Sequence, residues 1–162
     1  MKFVMTHYEV LLLHQRPITK LSVVIPELGS CSEIDHLMYI LWKNSVEEFT
    51  FRIKYGEEYR LPSSLFMSLQ LKHLNLSTCL FNPRPSFKGF NRMIMLELCE
   101  VTINHEVIES LISSCLLLKE LVLHVPNKFD YLEINAPMLE LLALTYPPTS
   151  VRIKKSPLLE IV

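Results

Sequence analysis

Residues 71–79 read Leu71-Lys72-His73-Leu74-Asn75-Leu76-Ser77-Thr78-Cys79, the pattern L-x-x-L-x-L-x-x-C. Leu74 and Leu76 alternate with polar residues, so one face of this stretch is apolar and it reads as a half-buried strand. Its core returns as Ile18-x-x-Leu21-x-Val23, Val46-x-x-Phe49-x-Phe51 and Met93-x-x-Leu96-x-Leu98. It continues as Leu118-x-x-Leu121-x-Leu123 and Leu139-x-x-Leu142-x-Leu144, and starts again at Leu159. Successive starts lie 28, 25, 22, 25, 21 and 20 residues apart. A unit of that length cannot bury its apolar face alone, so neighbours must stack on one another.

A core of this form, recurring every ~20–29 residues, is the signature of a leucine-rich repeat. The expected fold class is α/β: an open leucine-rich-repeat solenoid. Six or seven short parallel strands form its concave face, with helices, loops and short strands on the convex face. Parallel strands need a crossover of about a dozen residues, which these spacings allow. Two returns read as helices. Ile34, Leu37, Met38 and Leu41 share one stripe, with Ser30 or Ser32 as cap. Val107, Ile108, Leu111 and Ile112 share another, with Asn104 as cap. Asn82-Pro83-Arg84-Pro85-Ser86 cannot be a regular helix and reads as a loop with a helical turn. Tyr131–Ile134 and Val151–Ile153 read as brief strands, so the returns change character toward the C-terminus.

The whole chain, residues 1–162, reads as one domain, with residues 1–16 as a helical cover at its N-terminal end. The sequence halts within a repeat at Leu159–Val162. The expectation is a piece of a longer protein, or a free apolar edge strand that meets a partner.

Sixteen Lys and Arg face seventeen Asp and Glu, a formal charge of −1. The densest basic spot, Arg152, Lys154 and Lys155, is too small for a nucleic-acid footprint. No apolar run approaches the roughly 20 residues of a membrane span, and no secretory signal stands at the start. Cys31, Cys79, Cys99 and Cys115 form no C-x-x-C pair, so no zinc site and no other metal is expected. They read as reduced, inert thiols of a cytoplasmic or nuclear protein. With only Gly29, Gly56 and Gly89, no phosphate-cradling loop can be assembled, and no cofactor is implied.

Stacked strands place equivalent outward residues in ladders ~4.8 Å apart. One ladder reads His73, Met95, Glu120, Leu141; the next Asn75, Glu97, Val122, Ala143; the third Ser77, Cys99, His124, Thr145. This face is the natural partner surface, because repeat proteins bind on their concave side. The residues expected to carry binding are His73, Asn75, Ser77, Met95, Glu97, Cys99, Glu120, Val122 and His124. Cys99 beside His124 could be an activated thiol. It lacks an orienting group and an oxyanion site, so the chain is not expected to be an enzyme. Glu47-Glu48 and Glu57-Glu58 are neighbours that point to opposite sides of a strand and read as solvated. Phe49, Phe51, Tyr55 and Tyr59 read as core and edge packing.

Leu61-Pro62-Ser63-Ser64-Leu65-Phe66, then the 71–79 block, then Phe87-Lys88-Gly89-Phe90, resemble the repeat region of plant F-box/FBD/leucine-rich-repeat proteins. So do Val101-Thr102-Ile103, Ser113-Ser114-Cys115, and Ile134-Asn135-Ala136-Pro137 with Leu139-Glu140. Val10-Leu11-Leu12-Leu13-His14 with Pro17-Ile18 is similar to the stretch that follows the F-box there. In that family the F-box docks a Skp-type adaptor of a cullin ubiquitin ligase, the repeats choose the substrate, and an FBD segment follows. The sequence departs in three ways: no F-box precedes the repeats, no FBD follows, and Leu116 stands where proline is usual. The resemblance therefore implies a substrate-recognising repeat module that binds protein on its concave face. An adaptor would be reached only through an F-box absent from this chain. The alternative is a stand-alone repeat scaffold, or a truncated fragment without a ligase link.

Overall fold

A computed structural model describes residues 17–27, 32–126, 129–146 and 148–161. The expected N-terminal cover, residues 1–16, and the cap Ser30 lie outside them, as does Cys31. Strand β1 (Lys20–Glu27) leads into helix α1 (Ser32–Lys43), then β2 (Glu48–Tyr55) and the two-residue β3 (Tyr59–Arg60). A 3-10 turn (Leu65–Met67) precedes β4 (His73–Phe81) and β5 (Met95–Ile103). Helix α2 (His105–Ser114) is followed by β6 (Glu120–His124), β7 (Tyr131–Asn135) and β8 (Leu141–Thr145). The last elements are β9 (Ser150–Lys154) and β10 (Glu160–Ile161).

The leucine frames become one parallel sheet in the order β1-β2-β4-β5-β6-β8-β10, with β3 added alongside the C-terminal half of β4. Register follows the repeats. Leu21 lies against Phe49, Phe49 against Leu74, Leu74 against Leu96, Leu96 against Leu121, and Leu121 against Leu142. All but Leu21 are buried, as a period-two strand with one covered face requires. A repeated latch fixes this register. The carbonyls of Thr19, Glu47, Lys72, Ile94 and Lys119 each accept two successive N–H groups from the next repeat. Each latch satisfies backbone donors that a strand start would otherwise leave open.

Two strands run longer than the leucine pattern shows. Thr78 and Glu100 take left-handed backbone (φ 55° and 52°), so two successive side chains face away from the core. Pairing then resumes from Cys79 against Val101 to Phe81 against Ile103. Tyr146 (φ 60°) holds the same place in its repeat.

The returns behave as their sequences dictate. Asn104 caps α2 by accepting the N–H of Glu106 at 2.8 Å. Its stripe Ile108, Leu111 and Ile112 is buried, with Val107 partly so. In α1, Ile34, Leu37, Met38 and Leu41 are buried, and Lys43 stands in the last turn, where a cation favours the helix dipole. The proline-broken return is filled by aromatics instead of a helix. Phe66 meets Phe81 and Phe87 (centroids 5.1 and 5.2 Å), and Phe87 meets Phe90 at 5.0 Å.

Beyond α2 the return layer becomes a second, two-stranded parallel sheet of β7 and β9. The helix supports its first strand directly. Glu109 accepts the Glu133 N–H at 2.7 Å, and the His105 ring packs edge-on against Tyr131 at 4.6 Å.

Candidate partner-binding face

The sheet face opposite the core carries the three expected rows. His73 pairs with Met95, Met95 with Glu120, and Glu120 with Leu141. Asn75, Glu97, Val122 and Ala143 are likewise in register, as are Ser77, Cys99, His124 and Thr145. The sheet also extends these rows through β2 and β1. Lys20 and Glu48 join the first, Ser22 and Thr50 the second, Val24 and Arg52 the third. The frames starting at Ile18 and Val46 carry the signal that places them, by the same register.

The two halves of the face differ in chemistry. Toward β1 it is an ion-pair network. Lys20 Nζ lies 2.8 Å from Glu48 Oε2, and His73 Nδ1 lies 3.5 Å from Glu48 Oε1. The hydrogen bond from Lys20 holds the Glu48 carboxyl below the usual carboxylate range. Arg52 reaches across two strands: its Nε donates to Asn75 Oδ1 at 3.3 Å, and its Nη2 lies 3.7 Å from Glu97 Oε1. The Asn75 amide also donates to Glu97. Such exposed pairs contribute only ~0–1 kcal/mol each, so they add little to the stability of the fold. Toward β8 the face carries more apolar side chains: Val122 and Ala143 are neighbours in the second row, Met95 and Leu141 stand in the first with Glu120 between them, and His124 Nε2 lies 3.2 Å from Thr145 Oγ1.

Where β2 ends, beside the left-handed kinks at Thr78 of β4 and Glu100 of β5, the third row opens into a hollow of about 490 Å³. Val24, Arg52, Tyr55, Ser77, Thr78 and Glu100 line it. Tyr55 is 73% exposed, unlike Phe49, Phe51 and Tyr59, which are buried as expected.

Cys99 does not have the character of a nucleophile. Partial burial raises its thiol above the ordinary range, and the Glu100 and Glu97 carboxylates raise it further. Cys79 is pushed up to about 12, by burial first and then by Glu58. Burial raises Cys115 as well. Glu47 is held by Lys72 at 2.7 Å, on the other side of the chain from Glu48. Among the described residues no group of three or more His, Cys, Asp or Glu could hold a metal, and no helix is long and apolar enough to cross a membrane.

The chain matches the family described as At1g61320/AtMIF1, LRR domain, over residues 17–147. It is 40% identical over 137 residues to the F-box/FBD/LRR-repeat protein At1g13570 of Arabidopsis thaliana. That alignment covers 83% of this chain and 32% of the relative, so the chain spans about a third of the relative's length. No solved structure matches it. The parallel leucine frames, their register and this match agree: the chain belongs to the leucine-rich-repeat domain family of the At1g61320/AtMIF1 type.

Proposed function

We propose that the domain recognises a protein partner on the open face of its main sheet, and that the repeats stack as an open solenoid with this face concave. In the full-length protein the partner is the substrate of an F-box ubiquitin ligase in the cytoplasm or nucleus. A Skp-type adaptor docks on an F-box outside these residues. The observation that carries the reading is the division of the open face. Arg52, Asn75 and Glu97 offer a fixed polar pattern, and Met95, Val122 and Leu141 offer apolar area beside it. Association draws its affinity from desolvated apolar anchors and its register from charges. The relative's name supports the ligase link, because it couples these repeats to an F-box.

The test is proximity labelling with the full-length gene product, comparing wild type with Arg52→Glu/Val122→Glu. The expected result is loss of specific partners with the adaptor retained. An unchanged partner set in the double variant overturns the open-face reading. A full-length protein that never co-purifies with a Skp-type adaptor overturns the ligase link.

A further inference from the structure

The return side of the sheet carries an apolar groove, built where the prolines forbid a helix. The end of α1, the 3-10 turn and the 82–91 loop enclose a groove of about 540 Å³. Its floor is the aromatic edge of Phe66 and Phe87, and its walls are Trp42, Met67 and Leu69. Met67 and Leu69 are 54% and 55% exposed, and Trp42 is 38% exposed beside the Tyr39 ring, 5.5 Å away and 48% exposed. Large apolar side chains clustered in the open mark a recognition site more often than chance exposure does. The walls are too open to enclose a small molecule, which a ligand pocket does over most of its surface.

Charge decides the occupant. Arg84 and Lys88 stand in the groove, and among the described residues no acidic side chain lines it. Arg84 continues into an adjoining hollow of about 460 Å³ that also holds Arg60. The carboxylate there, Asp35, already accepts the Tyr59 hydroxyl. Among the described residues Arg60, Arg84 and Lys88 have no ion-pair partner, as is also true of Lys43, Lys54, Arg92, Arg152 and Lys155, but only Arg84 and Lys88 stand in this apolar groove. An apolar trough rimmed by unpaired cations complements a segment that alternates bulky apolar and acidic side chains. The geometry points to a docking groove for an acidic, hydrophobic peptide segment of a protein partner, separate from the open sheet face.

Trp42 is the sole tryptophan and sits in the wall, so it reports occupancy directly. The full chain is titrated with a short tryptophan-free peptide alternating Glu or Asp with Leu and Phe. A matched peptide with Gln and Asn in place of the acids serves as control. Expected are a blue shift of Trp42 emission with the acidic peptide and weaker binding by the neutral one. Binding should weaken at ~1 M salt, where screening acts within ~3 Å. Arg84→Glu/Lys88→Glu changes two exposed side chains, so the fold persists, and affinity should fall about tenfold or more. Equal binding of both peptides, unaltered affinity in the double variant, or no response of Trp42 overturns the proposal. Binding of a single-stranded oligonucleotide in preference to the peptide overturns it as well. Arg52→Glu/Val122→Glu should leave this titration unchanged, which separates the groove from the open face.

Discussion

Gly89→Ala tests how the proline-broken return is anchored. Gly89 takes φ +87°, in the left-handed region, and a Cβ added there would stand 2.6 Å from Ser114 Cβ and closer still to its Oγ. Ser114 is the last residue of α2, and its hydroxyl is held by the Leu111 carbonyl at 2.8 Å. Two penalties therefore add. A non-glycine residue in left-handed backbone costs ~1–2 kcal/mol. Forcing a methyl into packed space costs ~1–3 kcal/mol. The expected loss is ~2–5 kcal/mol, or roughly 4–20 °C in Tm for a chain of this size. Urea unfolding followed by circular dichroism measures it. A double-mutant cycle separates the parts, because Ser114→Gly removes both clashing atoms. In that background Gly89→Ala should lose only the backbone penalty, leaving ~1–3 kcal/mol of coupling. A neutral Gly89→Ala, or the same loss in both backgrounds, would refute the contact between the loop and α2.

Three further outcomes follow from the same geometry. Leu116 is the second residue of a turn closed by Leu118 N–H to Cys115 O at 3.0 Å, and Pro137 holds the same place in the turn closed by Leu139 N–H to Ala136 O at 3.1 Å. Leu116→Pro should thus be neutral or stabilising by ~0.4–1 kcal/mol in thermal unfolding, and a clear loss would show that the two turns differ. Phe90→Ala, in a fully buried ring that meets Phe87, should destabilise by ~3–5 kcal/mol in urea unfolding; below ~1 kcal/mol the aromatic cluster is not a packed core. Cys79 is raised to about 12 when folded, so its contribution is complete below the ordinary thiol range and is lost as pH climbs from ~8.5 toward that value. Under reducing conditions, unfolding free energy should fall with pH there by up to ~1.4 kcal/mol per unit from this thiol alone. Cys79→Ala should have a correspondingly shallower slope, and identical slopes would mean that the thiol is exposed.

The register was legible because every leucine frame starts at the same phase. A one-residue slip would turn Leu74 and Leu76 out of the core, so the pairing follows from the pattern. Both helices were legible from a stripe, and α2 also from its cap. Where alternation stops, legibility stops too. Thr78 and Glu100 break period two, so the pattern hides the renewed pairing up to Phe81 and Ile103. The two residues of β3 cannot display a period at all. The reach of Arg52 to Glu97 depends on side-chain length across strands 45 residues apart in sequence, by their numbers alone. The groove was hidden for a related reason: Trp42, Leu69 and Lys88 come from three returns, and no local pattern encodes how those returns pack.

The pairing of the cations also bears on what the two proposed surfaces would demand of a partner. On the open face Lys20 and Arg52 are already satisfied by Glu48 and Glu97, so an incoming acid gains little and must first displace a carboxylate. Affinity there has to come from Met95, Val122 and Leu141, with the ion-pair rows excluding partners of the wrong charge pattern. In the groove Arg84 and Lys88 have no ion-pair partner among the described residues, so an incoming carboxylate displaces no carboxylate of the protein. That surface should accordingly associate quickly and lose strength with salt, while the open face dissociates slowly and is nearly indifferent to it. A partner that engages both gains from the tether between its contacts without any new interface. Either contact alone can then be weak.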